Sequence, residues 1–541
     1  MSQGRLRKIS EVGWWAIAVT LMGLALGAAP GALAAEQPRA GGILTFAVAE
    51  TPPSFDGHRE TTFAMLHPTA PHYSTLLRFD PDEYPKIEGD VAEGWTVSKD
   101  GLTYTFKLRK GIRFHDGSPL TARDVKLTYD KIIFPPEGVA SARKASYAAV
   151  AEVVAPDEGT VVFRLKWPSA SFLASLASPW NFIYKADLLA KDPKWYEQNI
   201  MGTGPFKYVE YVPGSHWVAT RNPDYFVKGR PYLDGYRAVF IRDTAARVAT
   251  VRGGQALIEF RGFNPAARDD LVRALGDKLT VQESPWVCNM TVAINNEKRP
   301  FDDVRVRKAL TLAIDRWEGS KALSQISIMK PVGGVLRPGS AFATPEGELT
   351  KLAGFGKNIE AARTEARRLL KEAGVPEGFA FTLKNRNIKE PYEAVGVFVI
   401  DQWRKIGLNV THLPQEGGPY FADLRAGTYE TSIDFACDFM DDPDLQLYKF
   451  VSREKSPINY SRYTDPVLND LYEKQSRAAD PKQRLTLLRQ FERRVLDEKV
   501  YQFHVLWWQR IIPHWKKVRG WMITPSHYLN QDLRDVWLAA E

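Results

Sequence analysis

The clearest structural pattern in this chain is DGLTYTFKLRKGIRFHDGSPLTARDV, residues 100–125. The Asp-Gly pair at 100–101 is typical of a tight hairpin turn, and apolar and polar residues alternate after it, as an antiparallel strand with one buried face requires. A second Asp-Gly turn at 116–117 comes before Thr121, which can cap a helix together with Asp124. The segment predicts a hairpin and a helix within a mixed antiparallel subdomain.

Working outward, the later part of the chain alternates strands with helices. Apolar residues alternate through 379–383, a helix is predicted over roughly residues 392–406, and Gly407 ends it. An extended apolar run resumes at 408–410. A strand, helix and strand in this order imply parallel strands, so this part predicts an α/β layer.

Toward the start, residues 43–48 predict a buried strand that opens into a loop. Glu50 and Thr51 follow that strand directly. Ligand sites of α/β proteins collect at the carboxyl ends of strands, which makes both residues candidate ligand contacts. The alternative interpretation of Glu50 is an acid on a solvated loop.

Composition limits the classes of function. The 541 residues are 44% hydrophobic and 25% charged, which is enough for two or three globular domains, and the net charge of +8 is mild. The basic and aromatic segment 514–519 is weak evidence for nucleic-acid binding, so no nucleic-acid partner is expected. The sequence has no His-Glu-x-x-His pattern, nucleophile elbow or phosphate loop, so it predicts no enzyme and no cofactor.

The first residues have the pattern of an export signal. A basic start is followed by an apolar run over 12–29 and by the small residues of Ala32-Leu33-Ala34. Residues 1–34 are therefore predicted to be a signal peptide that is cleaved before Ala35, although the run could instead stay as an uncleaved anchor. No cysteine lies at the cleavage site, so we expect a periplasmic protein without a lipid anchor. In that oxidising compartment Cys288 and Cys437 could pair, and two buried thiols are the alternative.

Several ordered stretches resemble the extracellular solute-binding proteins of peptide and nickel importers, the family of oligopeptide- and dipeptide-binding proteins. The resemblance runs from about Gly41 to the C-terminus, and residues 100–125 look like the family's signature region. The further matching stretches are Gly202-Thr203-Gly204-Pro205-Phe206, Arg221-Asn222-Pro223-Asp224-Tyr225, Asn295, residues 300–310 and Ala313-Ile314-Asp315-Arg316.

The resemblance implies an α/β type II periplasmic-binding-protein fold, with two hinged lobes and an extra α+β subdomain in the first lobe. Mapped by similarity, the first lobe would comprise residues 41–78, 200–284 and 509–541, the subdomain 79–199, and the second lobe 285–508. The ligand would lie in the cleft between the lobes, and the closed form would be recognised by a membrane permease. A monomer is expected.

One segment departs from the family pattern. In oligopeptide binders an aspartate two residues after a cysteine anchors the amino terminus of the peptide, and here that position holds Phe439. Asp438 comes one residue early, which in an extended strand turns its side chain to the other face. A bulge could still bring Asp438 or Asp441 into the cleft. The same resemblance implies a disulfide between Cys288 and Cys437.

The candidate ligand contacts are placed by position in this predicted fold. Asp442 is better interpreted as a helix cap before Pro443. Arg386 could bind a ligand carboxylate, or it could be a surface charge, and Trp286 and Phe439 could equally be core aromatics. The full set is Glu50, Thr51, Trp286, Asn385, Arg386, Asp438, Phe439, Met440 and Asp441.

The expected function is capture of a short peptide or another amino-group solute for an ABC importer. Within the same class of receptor, the alternatives are an opine-like, a sugar-derived or a metal-chelate solute, and a periplasmic hydrolase is the alternative from another class. A metal or metal chelate would need His58, His67 and His72 to gather, whereas scattered loop histidines are usually solvated.

Overall fold

The computed structural model describes residues 36–438 and 440–540. The predicted signal peptide, residues 1–34, and Phe439 lie outside the described residues. The strands are β1 (Ile43–Val48), β2 (Leu77–Phe79), β3 (Ile87–Gly89), β4 (Ala92–Val97), β5 (Thr103–Leu108), β6 (Val150–Asp157), β7 (Thr160–Leu165), β8 (Phe206–Val212), β9 (His216–Arg221), β10 (Gly235–Phe240), β11 (Ile258–Glu259), β12 (Leu279–Ile294), β13 (Ala380–Arg386), β14 (Asn409–Gln415), β15 (Thr431–Cys437), β16 (Gln502–Trp515), β17 (Val518–Arg519) and β18 (Trp537–Leu538).

The helices lie mainly between the strands of the later part of the chain. Within the described residues, no helix is both long enough and apolar enough to span a bilayer. The helices are α1 (Phe63–Thr69), α2 (Ala122–Ile133), α3 (Phe172–Leu176), α4 (Ala186–Lys191), α5 (Thr244–Arg252), α6 (Pro265–Leu275), α7 (Val304–Leu312), α8 (Arg316–Ile326), α9 (Glu346–Leu349), α10 (Ile359–Glu372), α11 (Ala394–Arg404), α12 (Gly417–Ala426), α13 (Pro443–Tyr448), α14 (Pro466–Arg477) and α15 (Pro481–Arg493).

The first lobe is built on a five-stranded sheet with the order β11-β1-β10-β9-β8. Strand β1 is parallel to both of its neighbours, and β9 is antiparallel to its neighbours β10 and β8. The buried strand predicted over residues 43–48 is confirmed, because Leu44, Phe46 and Val48 are fully enclosed. The carboxyl ends of β1 and β11 meet at one edge of this sheet.

The hairpin predicted at residues 100–101 is confirmed. It joins β4 and β5 of a four-stranded antiparallel sheet with the order β4-β5-β7-β6. Gly101 has φ +69°, a conformation that glycine adopts without steric cost. The capping box of Thr121 and Asp124 is also present at the start of α2, which packs on this sheet through Val125 and Tyr129. These elements form the extra subdomain.

The second lobe is built on a sheet with the order β14-β13-β15-β12-β16. The predicted strand, helix and strand are confirmed as β13, α11 and β14, and the two strands are parallel. The helix is shorter than predicted, because a π-helical turn over Lys389–Glu393 leads into it. Strand β13 is also parallel to β15, so the carboxyl ends of β13 and β15 meet at one edge.

Two long antiparallel strands, β12 and β16, connect the lobes. Their residues near Val292 and Phe503 pack in the core of the second lobe, whereas Ile512 packs in the core of the first lobe. The pairing register shifts between Pro285 and Asn289, between these two parts. The lobe boundaries given from the sequence stay predictions. Cys288 and Cys437 form a disulfide between β12 and β15.

Candidate functional site

The candidate site lies between the carboxyl ends of strands from the two lobes. In the first lobe, Glu50 and Thr51 follow β1 and Arg261 follows its parallel neighbour β11. In the second lobe, Arg386 ends β13 and Asp438 follows β15. Side chains at such edges are free of the sheet and can meet a ligand, so these residues are candidate contacts in the cleft expected between the lobes.

Arg386 is surrounded by aromatic rings. Its guanidinium carbon lies 4.7 Å from the ring centre of Tyr392, 5.7 Å from that of Phe421 and 5.5 Å from that of Phe435. It donates one hydrogen bond, of 2.9 Å, to the Tyr392 hydroxyl. Its Nε is buried and has no partner among the described residues. A partly satisfied guanidinium of this kind can bind a carboxylate.

Asp438 has a carboxylate to which none of the described side chains donates a hydrogen bond, although its backbone N–H bonds the carbonyl of Val287 at 3.0 Å. Burial raises the pKa of Asp438 to about 7. The negative charges of Asp441 and Asp442 add to this rise, and the positive charge of Lys449 opposes it. Asp438 follows the last residue of β15, and whether its side chain faces the cleft stays a prediction.

The Asp438 carboxylate lies near Tyr528, a residue of the predicted first lobe. Burial raises the pKa of the Tyr528 hydroxyl, the charges of Arg261 and Arg143 oppose that rise, and the charge of Asp438 adds to it. The hydroxyl bonds the Thr61 carbonyl at 3.3 Å. Asp438 therefore lies within electrostatic range of first-lobe groups.

Trp286 forms part of an aromatic wall between the lobes. Its ring centre lies 5.5 Å from that of Trp508 and 5.1 Å from that of His527. Its indole N–H donates to Nδ1 of His527 at 3.1 Å. Burial lowers the pKa of His527 well below its ordinary value, which keeps the imidazole neutral and able to accept this bond.

Asn385 and Asp441 are predicted contacts whose polar atoms are used inside the protein. The Asn385 amide donates to the carbonyl of Tyr392 at 2.7 Å, and its oxygen accepts from the next backbone N–H. Asp441 forms a buried ion pair with Arg337 at 2.5 Å and also accepts from Gln446. Both side chains are thus engaged within the protein, and their assignment as ligand contacts stays a prediction.

The other predicted residues are less engaged. Glu50 is exposed and Thr51 is partly buried. Met440 is buried between the subdomain and the second lobe, where it lines a cavity of about 340 Å³ together with Trp167 and Tyr472. The lining of this cavity also includes Asp442 and Arg477.

The histidines do not gather. His58 bonds the Phe182 carbonyl, His67 bonds the His527 carbonyl, and His72 bonds the Phe206 carbonyl, and all three are buried. Within the described residues, no group of histidine, cysteine and acidic side chains is placed to hold a metal ion.

Two cleft residues were missed from the sequence. Arg261 could have been found by the rule that identified Glu50, because it follows a short strand and precedes Gly262, which has φ +116°. Tyr528 lies in an irregular segment, which carries no periodic signal that could have indicated its position.

Comparison with known proteins gives the family. Residues 86–457 match "Bacterial extracellular solute-binding proteins, family 5 Middle". The chain belongs to this family. The family predicted from the sequence is thereby confirmed, and it is a family of solute-binding proteins.

Individual relatives agree in sequence and fold. The glutathione-binding protein GsiB of Pectobacterium atrosepticum is 29% identical over 366 residues, 67% of each chain. The dipeptide-binding protein of Escherichia coli is 26% identical over 488 residues, 84% of this chain and 87% of its own. Helicobacter pylori DppA, solved with the peptide STSA, has a TM-score of 0.74 and 25% identity, covering 92% of this chain and 98% of its own. The predicted two-lobed type II fold is confirmed.

Proposed function

We propose that this protein is the periplasmic substrate-binding component of an ABC importer, and that it binds a short peptide or another amino-group solute between its lobes. The observation that supports this proposal is the partly buried Asp438 carboxylate, which lies near Tyr528 and receives no hydrogen bond from the described side chains. Desolvation of a carboxylate that has no donor costs free energy, so a cation supplied by the ligand is a suitable partner. Relatives named for binding a dipeptide and glutathione support a ligand of this class.

The two ends of a peptide match the two charged groups of the second lobe. Asp438 would bind the ammonium by charge-assisted hydrogen bonds, and Arg386 would bind the carboxylate. The aromatic wall around Trp286 and Tyr392 would cover the apolar part of the solute.

Binding would favour the closed form, because the cleft groups belong to both lobes and meet the solute together only when the lobes are closed. A ligand shifts this equilibrium only by the difference between its affinities for the two forms. The closed form would then deliver the unchanged solute to a membrane permease. Export through the segment 1–34, followed by action as a monomer in the periplasm, completes the proposal.

Calorimetric titration with Ala-Ala tests the role of Asp438. Asp438→Asn removes the charge that pairs with the ammonium, and loss of one partner of an enclosed charge pair costs about 2–5 kcal/mol, a loss of roughly 30-fold or more in affinity. The matched control is Asp277→Asn, which changes an exposed acid of the first lobe. Its affinity should equal that of the unaltered protein.

A thermal-shift panel extends the test to other solutes. A ligand at a hundred times its dissociation constant should stabilise the protein by about 2.7 kcal/mol. Chromatography should recover that ligand unchanged. Turnover of the ligand, or equal affinity of Asp438→Asn and the unaltered protein for Ala-Ala, would contradict the proposal.

A further inference from the structure

Arg261 is a second unsatisfied guanidinium in the cleft, and it belongs to the first lobe. No hydrogen bond or ion pair from its side chain occurs within residues 36–438 and 440–540. Its guanidinium carbon lies 5.1 Å from the ring centre of Phe63 and 5.9 Å from that of Trp286. Aromatic faces hold a guanidinium in place while its N–H edge stays available to an anion.

The acid nearest to Arg261 along the chain is already engaged. Glu259 accepts hydrogen bonds from the backbone N–H groups of Arg261 and Gly262, at 3.2 and 2.7 Å. Burial raises the pKa of this carboxyl, and the charges of Arg247 and Arg261 oppose that rise. Within the described residues, the fully buried Arg510 donates only to carbonyls, among them that of Thr524 at 3.0 Å. The hydrogen bonds of Glu259 therefore come from backbone N–H groups and leave the guanidinium of Arg261 without a side-chain partner among the described residues.

Arg261 and Arg386 lie on the same aromatic wall, because Trp286, beside Arg261, packs on Trp508, whose ring centre is 6.3 Å from that of Tyr392. Burial raises the pKa of Tyr392 to about 12, and the charges of Arg386 and Arg261 both oppose that rise. Tyr528 is likewise within range of both Arg261 and Asp438. Arg386 and Arg261 together offer donors for two anionic groups, whereas a neutral dipeptide supplies only one carboxylate.

We propose that Arg261 binds a second anionic group, so that the solute carries two carboxylates or equivalent anions in addition to its ammonium. The inference rests on the proposed function and narrows its substrate class to acidic peptides and related amino-dicarboxylates. Asp438 and Arg386 would hold the ends of the solute, and Arg261 would select its acidic side chain from the first lobe.

A set of matched dipeptides tests this selectivity by calorimetry at low ionic strength. Ala-Glu is compared with Ala-Gln, and Glu-Ala with Gln-Ala, because each pair differs in one charge and little in shape. In one pair the acidic member should bind about ten- to hundredfold more tightly, the range of a hydrogen bond to a charged group. Arg261→Gln should bring that ratio to about one, and Arg261→Lys should keep part of it. Arg367→Gln, an exposed arginine of α10, should keep all of it.

The failures of the two proposals are distinguishable. If Ala-Gln and Gln-Ala bind but neither acidic partner binds more tightly, the proposed function stands and the role of Arg261 is refuted. If Arg261→Gln weakens the binding of both dipeptides of a pair equally, so that their affinity ratio persists, Arg261 only packs against the aromatic wall. The inference is then overturned. If neither Ala-Ala nor any of the four dipeptides binds, the proposed function fails first.

Discussion

Acidification should weaken dipeptide binding through Asp438. Only the ionised carboxylate can pair with an ammonium, and the pKa of this group is raised from its ordinary value of 3.8 to about 7. Below that pKa the solute must first displace a proton. The apparent affinity should therefore fall by a factor of 1 + 10^(pKa − pH), about 100-fold at pH 5 relative to its plateau above pH 8, or about 2.7 kcal/mol.

In the ligand-free protein, a rise in pH has the opposite effect: it lowers the contribution of Asp438 to stability. The folded protein holds the proton of Asp438 more tightly than the unfolded chain does, so this group lowers the free energy of unfolding as the pH rises from about 4 to about 7. A bound ammonium offsets that loss. The stabilisation that a dipeptide gives should consequently grow with pH over the same interval.

Calorimetric titration with Ala-Ala at several pH values between 5 and 8 measures how the affinity depends on pH. Asp438→Asn should give weak binding that is nearly independent of pH. The other groups that face this carboxylate are Lys449, Asp441 and Asp442. Asp442 has a pKa raised to about 6 by burial, and any slope that remains in Asp438→Asn would belong to it. An affinity of the unaltered protein that stays within twofold from pH 5 to 8 would refute the reasoning.

Three further predictions concern stability. Reducing the Cys288–Cys437 disulfide, whose partners are 149 positions apart, should lower the free energy of unfolding in urea by up to about 5 kcal/mol, whereas a C288S/C437S variant should not respond to reductant. Arg337→Met leaves the Asp441 carboxylate buried and unpaired, and should cost about 3–5 kcal/mol in the same assay. Gly204→Ala places a Cβ 2.4 Å from main-chain atoms that follow α1, so its Tm should fall measurably, and an unchanged Tm would contradict that contact.

Local patterns were sufficient where one segment makes its own contacts. The hairpin before Leu102 depends on a turn between adjacent strands, and the cap at Thr121 depends on a residue three positions away. The parallel unit of β13, α11 and β14 is likewise continuous in sequence. Such elements are predictable because turn chemistry and side-chain periodicity act over a few residues.

The crossing strands could not be predicted in this way. Strand β16 is buried on both faces and therefore shows no alternation, and it continues through Pro513, a residue that normally argues against a central strand. Strand β12 likewise passes through Pro285. Both strands are stabilised by pairing with each other across the two lobes, over a separation that no local window covers.

The candidate site was likewise predictable from the sequence only in part. The sequence predicts that the site lies at strand ends, and Arg386 does end β13. The direction of each side chain was not predictable, because Asn385 and Arg386 are adjacent and one is fully buried while the other faces aromatic rings. For Asp438, the alternation rule gives no direction, since the residue follows the end of β15.

The placement of charges across the hinge explains why recognition and closure should be linked. Asp438 and Arg386 belong to the second lobe, whereas Arg261 and Tyr528 belong to the first. A solute bound to one lobe leaves the charged groups of the other unsatisfied, so each additional contact is made only in the closed form. Because only such differential contacts shift the equilibrium, a solute that lacks the group recognised by Arg261 should close the lobes less completely than one that has it.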